Sequence, residues 1–294
     1  MDIKLSIITI NYNNKKGLEK TIESVVAQTT REFEYIVIDG GSTDGSVEVI
    51  KKYAEYIDYW ISEPDKGIYN AMNKGVQKAH GKFCQFLNSG DWLYSNIVVE
   101  CMLPYFDLDR DILVGYVQSI NENGNIGRLY AGSPKILTLH HLINCSLSHP
   151  SSFIRTKLLV EIPYNESLKI VSDWEFYINA YLSDAKFAQI PFDIAYFSPD
   201  GISSTGDVRG EGAPKRRELI HPQLLTEIES TPAEIINLFN QIPSAYRFKH
   251  LICTIDKFLV KIYSLFKKVE KNDKYIRLSP PILSKKQKEI YRLL

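Results

Sequence analysis

The residues with the most chemical promise are carboxylates that end apolar strands. Tyr35-Ile36-Val37-Ile38-Asp39 runs into Gly40-Gly41-Ser42-Thr43-Asp44-Gly45, and Phe83-Cys84-Gln85-Phe86-Leu87 runs into Asn88-Ser89-Gly90-Asp91. In an open parallel sheet, ligands bind beyond the carboxyl ends of the strands. An acid placed there brings charge to the mouth of a cleft. Two such acids attract a cation, and a cation attracts phosphate. A hard cation such as Mg²⁺ or Mn²⁺ takes oxygen ligands and keeps positions open for phosphate oxygens. The pattern therefore points to a nucleotide. A competing reading makes each acid a helix N-cap, which suits Asp44 and, taken alone, suits Asp91 equally well. It does not account for Asp39.

Familiar phosphate motifs are excluded. Gly40 to Gly45 has the spacing of a phosphate loop, but Ser46 stands where that loop needs its Lys. The strand before it ends in Asp, and no Gly-x-Gly-x-x-Gly follows, so a dinucleotide-binding turn is absent.

The elements that must position these acids follow from periodicity. Leu5 to Ile10 predicts a strand with a polar tip at Asn11 to Asn14. Leu18, Ile22, Val25 and Val26 recur at helical spacing. A strand over 34–39 follows, then a helix after Asp44 with Val47, Ile50, Ala54 and Ile57 on one side. Tyr59-Trp60-Ile61 reads as a short strand before Ser62 to Gly67. Ile68, Met72, Val76 and Ala79 mark a helix closed by Gly81, and the 83–87 strand comes next. Strand–helix alternation implies a parallel sheet with right-handed crossovers. Beyond residue 110 the texture changes to a strand at 112–117, a turn at 121–125 joining antiparallel partners, a helix over 173–182, and two strands at 187–190 and 194–197. The polar stretch Ser203 to Arg217 reads as a loop that can close over a ligand, followed by a mainly helical remainder.

Composition adds bounds. A chain of 294 residues, 44% hydrophobic, can bury a sizeable core. Net charge is zero, yet from residue 245 onward 13 Lys and Arg face 4 Asp and Glu, against 22 and 31 in the rest. Residues 247–271 interleave Phe248, Leu251, Ile252, Ile255, Phe258, Leu259, Ile262, Leu265 and Phe266 with lysines. This is either a helix packed on the body with a solvated basic face or one lying on an anionic membrane surface. Nucleic acid is the weaker reading, because no binding motif accompanies the charge. The four cysteines, Cys84, Cys101, Cys145 and Cys253, show neither zinc spacing nor a disulfide framework. Neither a signal peptide nor 18 consecutive apolar residues occurs, so the expectation is a cytoplasmic protein, with peripheral contact at the inner face of the membrane through the basic helix.

Four ordered segments carry a resemblance: Leu5-Ser6-Ile7-Ile8-Thr9-Ile10-Asn11-Tyr12-Asn13, Val37 to Gly45, Asp65-Lys66-Gly67-Ile68-Tyr69-Asn70-Ala71-Met72-Asn73, and Leu87 to Asp91. Together they resemble family 2 glycosyltransferases of GT-A fold, in particular bacterial enzymes of colanic acid, capsule and O-antigen assembly. The resemblance spans residues 3–205. It implies a Rossmann-like, mostly parallel α/β sheet with an antiparallel acceptor-side portion. Residues 1–100 would bind the nucleotide-sugar, 101–205 would face the acceptor, and 206–294 would form a basic, mainly helical extension.

The resemblance also implies roles. Tyr12 would pack on the base beside the backbone of Ile10 and Asn11. Asp39 would accept the uracil N–H, favouring UDP. Asp65 and Lys66 would line the ribose and phosphates, with Ser89 and Gly90 in the same donor site. Asp91 matches the last acid of the family's Asp-x-Asp motif and would hold Mn²⁺ or Mg²⁺ on the diphosphate. The family often has Asp where this chain has Asn88 and Gly90, so one carboxylate remains, with the Asn88 amide oxygen as a second donor. Ser172-Asp173-Trp174-Glu175 matches a Glu-Asp segment, which makes Asp173 the catalytic base of an inverting transfer, with N-cap as the competing reading. Glu175, two residues on, points elsewhere on a helix and is a second candidate. His149 matches a position facing the reaction centre; a structural histidine is the competing reading, as it is for His140 and His141.

The implied reaction moves a sugar from a UDP-sugar to a hydroxyl of a glycan, carried in many relatives on a polyprenyl diphosphate. Two other readings stay open. One is a nucleotide-sugar-binding protein that has lost catalysis. The other, a sugar nucleotidyltransferase, needs a Gly-rich basic loop that Asn11 to Lys16 does not supply.

Overall fold

The computed structural model describes residues 3–120, 126–129, 137, 141–142, 145–198 and 275–278. The chain divides into two compact units, Met1–Val208 with Lys274–Leu294, and Arg209–Asp273. Every described residue belongs to the first. The 121–125 turn, His140, the 203–217 loop and the 247–271 helix lie outside the described residues.

The N-terminal half alternates strand and helix as the periodicity predicts. β1 (Leu5–Asn11) leads into α1 (Lys15–Val26), β2 (Phe33–Asp39), α2 (Ser46–Lys52), β3 (Tyr59–Ser62), α3 (Ile68–Lys78) and β4 (Phe83–Phe86). β1 and β2 are buried at every position, so they read as continuous apolar runs rather than alternating ones. α1 buries Leu18, Ile22 and Val25, spaced four and three apart as one helical face requires. Each such side chain contributes roughly 1.5–3 kcal/mol of burial. α3 lies so close to the sheet that a Cβ on Gly75 would sit 2.5 Å from Ile8 Cγ2.

The second half comprises β5 (Trp92–Leu93), α4 (Val98–Met102), β6 (Ile112–Ile120), β7 (Ile126–Leu129), β8 (Ser152–Arg155), α5 (Thr156–Glu161), α6 (Ser172–Leu182), β9 (Phe187–Phe197) and β10 (Tyr275–Arg277). Among the described residues all strands join one ten-stranded sheet with the path β10-β9-β6-β8-β4-β1-β2-β3, while β5 pairs with β9 and β7 with β6. β8 runs antiparallel to both β4 and β6, so the parallel part of the sheet turns mixed at this strand. This is the GT-A arrangement that the resemblance implies.

Three elements differ from the sequence expectation. Residues 187–197 form one strand, not two. Pro191 interrupts the ladder, and the pairing with β6 slips between Val114 and Val117, so a bulge absorbs the break. The helix after Asp44 ends at Lys52, and Ala54 opens a separate 3-10 turn with its side chain exposed. Residues 275–277, placed by sequence in a helical extension, form a strand that pairs in parallel with β9.

Candidate active site

The C-terminal ends of β1, β2 and β4 are laced together by backbone bonds. Gly40 N donates to Asn11 O at 2.8 Å and Ser89 N donates to Ile10 O at 3.0 Å. The sequence-selected tips therefore meet at one edge of the sheet.

Asp39 is fully buried there. Its Oδ1 accepts from Asn11 Nδ2 at 2.7 Å and Ser42 Oγ at 2.6 Å, and its Oδ2 from Ser42 N at 2.9 Å and Ser62 Oγ at 2.6 Å. Burial works to raise this carboxyl, but the four donors outweigh it and hold Asp39 below the ordinary carboxylate value. The acid is saturated. For it to meet a base N–H, one of the serine hydroxyls must rotate away. Asn11 is buried beside it, and its Oδ1 has no hydrogen-bond partner. Tyr12, by contrast, stands 66% exposed at the tip, where its ring is open to a flat ligand. A Cβ on Gly40 would lie 2.5 Å from Asp65 Oδ2 and 3.2 Å from Tyr12 Cδ2. Tyr12, Gly40 and Asp65 are thus in close contact, which only a residue without a side chain permits. Asp65 Oδ1 accepts from Gly67 N at 2.8 Å, and Lys66 N donates to Asn70 Oδ1 at 3.1 Å. These bonds set the turn that opens α3.

At the β4 tip, Gly90 takes φ +106°, a conformation that glycine adopts without cost. Asn14 Nδ2 donates to Ser89 O at 2.9 Å, and Gly90 N donates to Thr21 Oγ1 at 3.0 Å, so α1 clamps the turn. Asp91 is buried, and Ser198 N donates to its Oδ1 at 2.9 Å. Burial pushes its carboxyl up to about 7, against the smaller opposing effect of that bond. Asn88 Oδ1 is buried without a partner. An under-bonded carboxylate and an orphaned amide oxygen on one turn fit a hard cation. Among the described residues no cluster of three His, Cys, Asp or Glu side chains occurs, so water and phosphate would have to complete the shell.

Asp173, His149 and Glu175 gather around α6. Asp173, half-buried in its first turn, receives a bond from the Tyr69 hydroxyl at 3.1 Å. His149 is buried, stacks on Phe86 at a ring distance of 5.0 Å, and shares a 2.8 Å hydrogen bond between Nε2 and the Tyr164 hydroxyl. Burial holds its imidazole below the ordinary value, with nearby Asp173 opposing. It is a neutral wall beside the carboxylate. Glu175 is buried and accepts from Asn165 Nδ2 at 3.0 Å. That bond holds the 165–175 segment together rather than presenting a base. The sequence gives Tyr69 a place in a motif without a role and does not single out Glu166. Yet Asn70 and Asn73 of α3 both donate to Glu166 at 2.9 Å, which bolts α3 to the segment ahead of α6. The clustered amides in Asn70-Ala71-Met72-Asn73, three residues apart on one helix face, were the available signal.

Residues 6–162, more than half of the chain, match the family described as Glycosyl transferase family 2. The chain belongs to this family. It is a glycosyltransferase. It is 32% identical over 194 residues to "Uncharacterized glycosyltransferase Rv1514c" of Mycobacterium tuberculosis, covering 60% of this chain and 69% of that one. Among solved structures, S. aureus TarS 1–349 in complex with UDP-GlcNAc matches with a TM-score of 0.57 and 23% identity, over 69% of this glycosyltransferase and 61% of TarS 1–349. Glucosyl-3-phosphoglycerate synthase from Mycobacterium tuberculosis, in complex with Mn²⁺, UDP and glucosyl-3-phosphoglycerate, matches at 0.54 and 15%, over 74% and 79%. At these identities the two structures show the fold.

Proposed function

We propose that this family 2 glycosyltransferase carries out an inverting transfer of a sugar from a UDP-sugar to a hydroxyl of a growing glycan. The observation that carries the reading is the joining of two acidic regions by one helix. α3 begins at the Asp65-Lys66 turn, beside Tyr12 and Gly40, and its Tyr69 reaches Asp173. This supports assigning the donor to one end of a rigid element and the base to the segment it touches.

In this reading Tyr12 stacks on the base, and Asp39, once a serine hydroxyl yields, or the orphaned Asn11 Oδ1, takes its N–H. Asp65, Lys66, Ser89 and Gly90 line the ribose and phosphates. Asp91 and Asn88 would hold Mn²⁺ or Mg²⁺, which would supply positive charge to neutralise the departing diphosphate. Asp173 takes the proton of the acceptor hydroxyl as that oxygen bonds to the anomeric carbon. The bond from that carbon to the β-phosphate oxygen breaks on the opposite face, and its electron pair leaves with UDP. An α-linked donor gives a β-linkage. The UDP in the TarS and glucosyl-3-phosphoglycerate synthase structures, and the Mn²⁺ in the latter, support the donor and the metal. The sequence resemblance supports a role in surface polysaccharide assembly on a polyprenyl diphosphate carrier.

UDP release from a panel of UDP-sugars, with and without Mn²⁺ and lipid-linked acceptors, tests the proposal. Release that requires one donor and one acceptor is the expected result. Saturable UDP binding without release under any condition would favour a degenerate binder, consistent with the single carboxylate at the β4 tip.

A further inference from the structure

Tyr69 is the second residue of α3 and is 4% exposed. Its hydroxyl lies within hydrogen-bond reach of two acceptors, Ile170 O at 2.5 Å and Asp173 Oδ1 at 3.1 Å, and its one proton is shared between them. Ile170 is the backbone just ahead of α6, and Asp173 is the second residue of α6. One phenol therefore touches both the entry to α6 and the carboxylate it presents.

We propose that Tyr69 is the positioning residue for Asp173: it holds Oδ1 in place, so that Oδ2 is the oxygen that receives the acceptor's proton. The inference deepens the functional reading above and rests on Asp173 being the base. Among the described residues, no hydrogen bond reaches Asp173 Oδ2. A carboxylate fixed through one oxygen keeps its other lone pairs for substrate and loses the rotation that would waste them. Burial, with the Asp173 carboxylate adding to it, holds the phenol far above its ordinary range. It thus remains a donor at any working pH and never competes as a base. His149, neutral beside Asp173, brings no positive charge that would replace the phenol.

The hydroxyl is not the main bolt between the two segments. Asn73 Nδ2 donates to Tyr164 O at 2.9 Å, Tyr164 N returns a bond to Asn73 Oδ1 at 3.1 Å, and Glu166 takes both asparagines. The Tyr69 ring also packs on Tyr164 at 5.7 Å, and phenylalanine keeps that contact. The hydroxyl's particular contribution is the state of Asp173.

The test is Tyr69→Phe, with kcat, donor KM and UDP affinity measured together. The inference predicts a fall in kcat of about 10- to 100-fold, with KM and UDP affinity within about twofold. Asn73→Ala, which removes bolts to Tyr164 and Glu166 without touching Asp173, should lower Tm without that selective fall in kcat. If Tyr69→Phe fails to fold, 4-fluorophenylalanine at position 69 fills the space of the hydroxyl without a donor and should show the same selective fall. A kcat within about twofold of wild type in the folded variant, beside an inactive Asp173→Asn, overturns the inference alone. Wild-type turnover in Asp173→Asn overturns the base assignment and this inference with it.

Discussion

Asp39 and Asp91 end neighbouring parts of one sheet edge, yet their surroundings drive them in opposite directions. Asp39 has four donors and is held ionised. Among the described residues Asp91 has one donor, Ser198 N, and burial lifts it to about 7 from the ordinary 3.8. Between these two values the native state keeps a proton that the unfolded chain releases. Stability therefore falls as pH rises through that window. A cation binds the deprotonated form and removes the penalty. Mn²⁺ in the presence of UDP should raise Tm more at pH 8 than at pH 6, read by thermal denaturation. A larger rise at pH 6 would contradict Asp91 as a ligand. The sequence identified both acids by their place after apolar strands. It was silent on their different states, because those depend on Ser42, Ser62 and Ser198, which arrive from separate segments.

Among the elements, β1, β2 and β4 with α1 and α3 were legible because buried parallel strands and one-faced helices leave strong periodic patterns. β9 was not, since Pro191 mimics a strand end and the bulge that absorbs it is set by pairing with β6. β10 was hidden by its shortness and by the basic residues around it. A further polar knot joins elements that no motif marks. Glu34 of β2 accepts from Ser6 of β1 at 2.5 Å, from the His80 backbone, from Gly81 N at 3.0 Å, and pairs with His80 Nδ1 at 3.0 Å. Burial opposes the charge, but these donors hold Glu34 below the ordinary 4.5. The sign is that of a depressed acid: its stabilisation is full above 4.5 and is lost as pH falls through the lower native value. Glu34→Gln should cost about 1–3 kcal/mol at neutral pH and flatten the acid side of the stability curve. Urea denaturation at pH 7 and pH 4 measures both, and equal loss at the two pH values would contradict the account.

At the scale of the whole molecule, no helix among the described residues is long and apolar enough to cross a membrane. Contact with a lipid-carried acceptor would rest on the basic stretch 247–271, which the sequence alone suggests. β10 changes how that is tested: truncation at residue 245 would also remove a strand of the sheet. Exchanging Lys257, Lys261, Lys267 and Lys268 for Gln leaves β10 intact and should abolish sedimentation with anionic vesicles at low salt. Retained sedimentation would remove the membrane role. Fold and family were readable from four motifs because they lie at the ends of the most regular strands. The coupling of α3 to α6 and the segment ahead of it through Tyr69, Asn73 and Glu166 was not, because it joins residues about a hundred positions apart. The central claim is that Asp173 is the base of a UDP-dependent transfer. Its most direct test is Asp173→Asn, assayed for acceptor-dependent UDP release and, in the same preparation, for UDP binding by calorimetry. The account predicts turnover reduced by about 10²- to 10⁴-fold with UDP affinity unchanged; turnover at the wild-type level would contradict it.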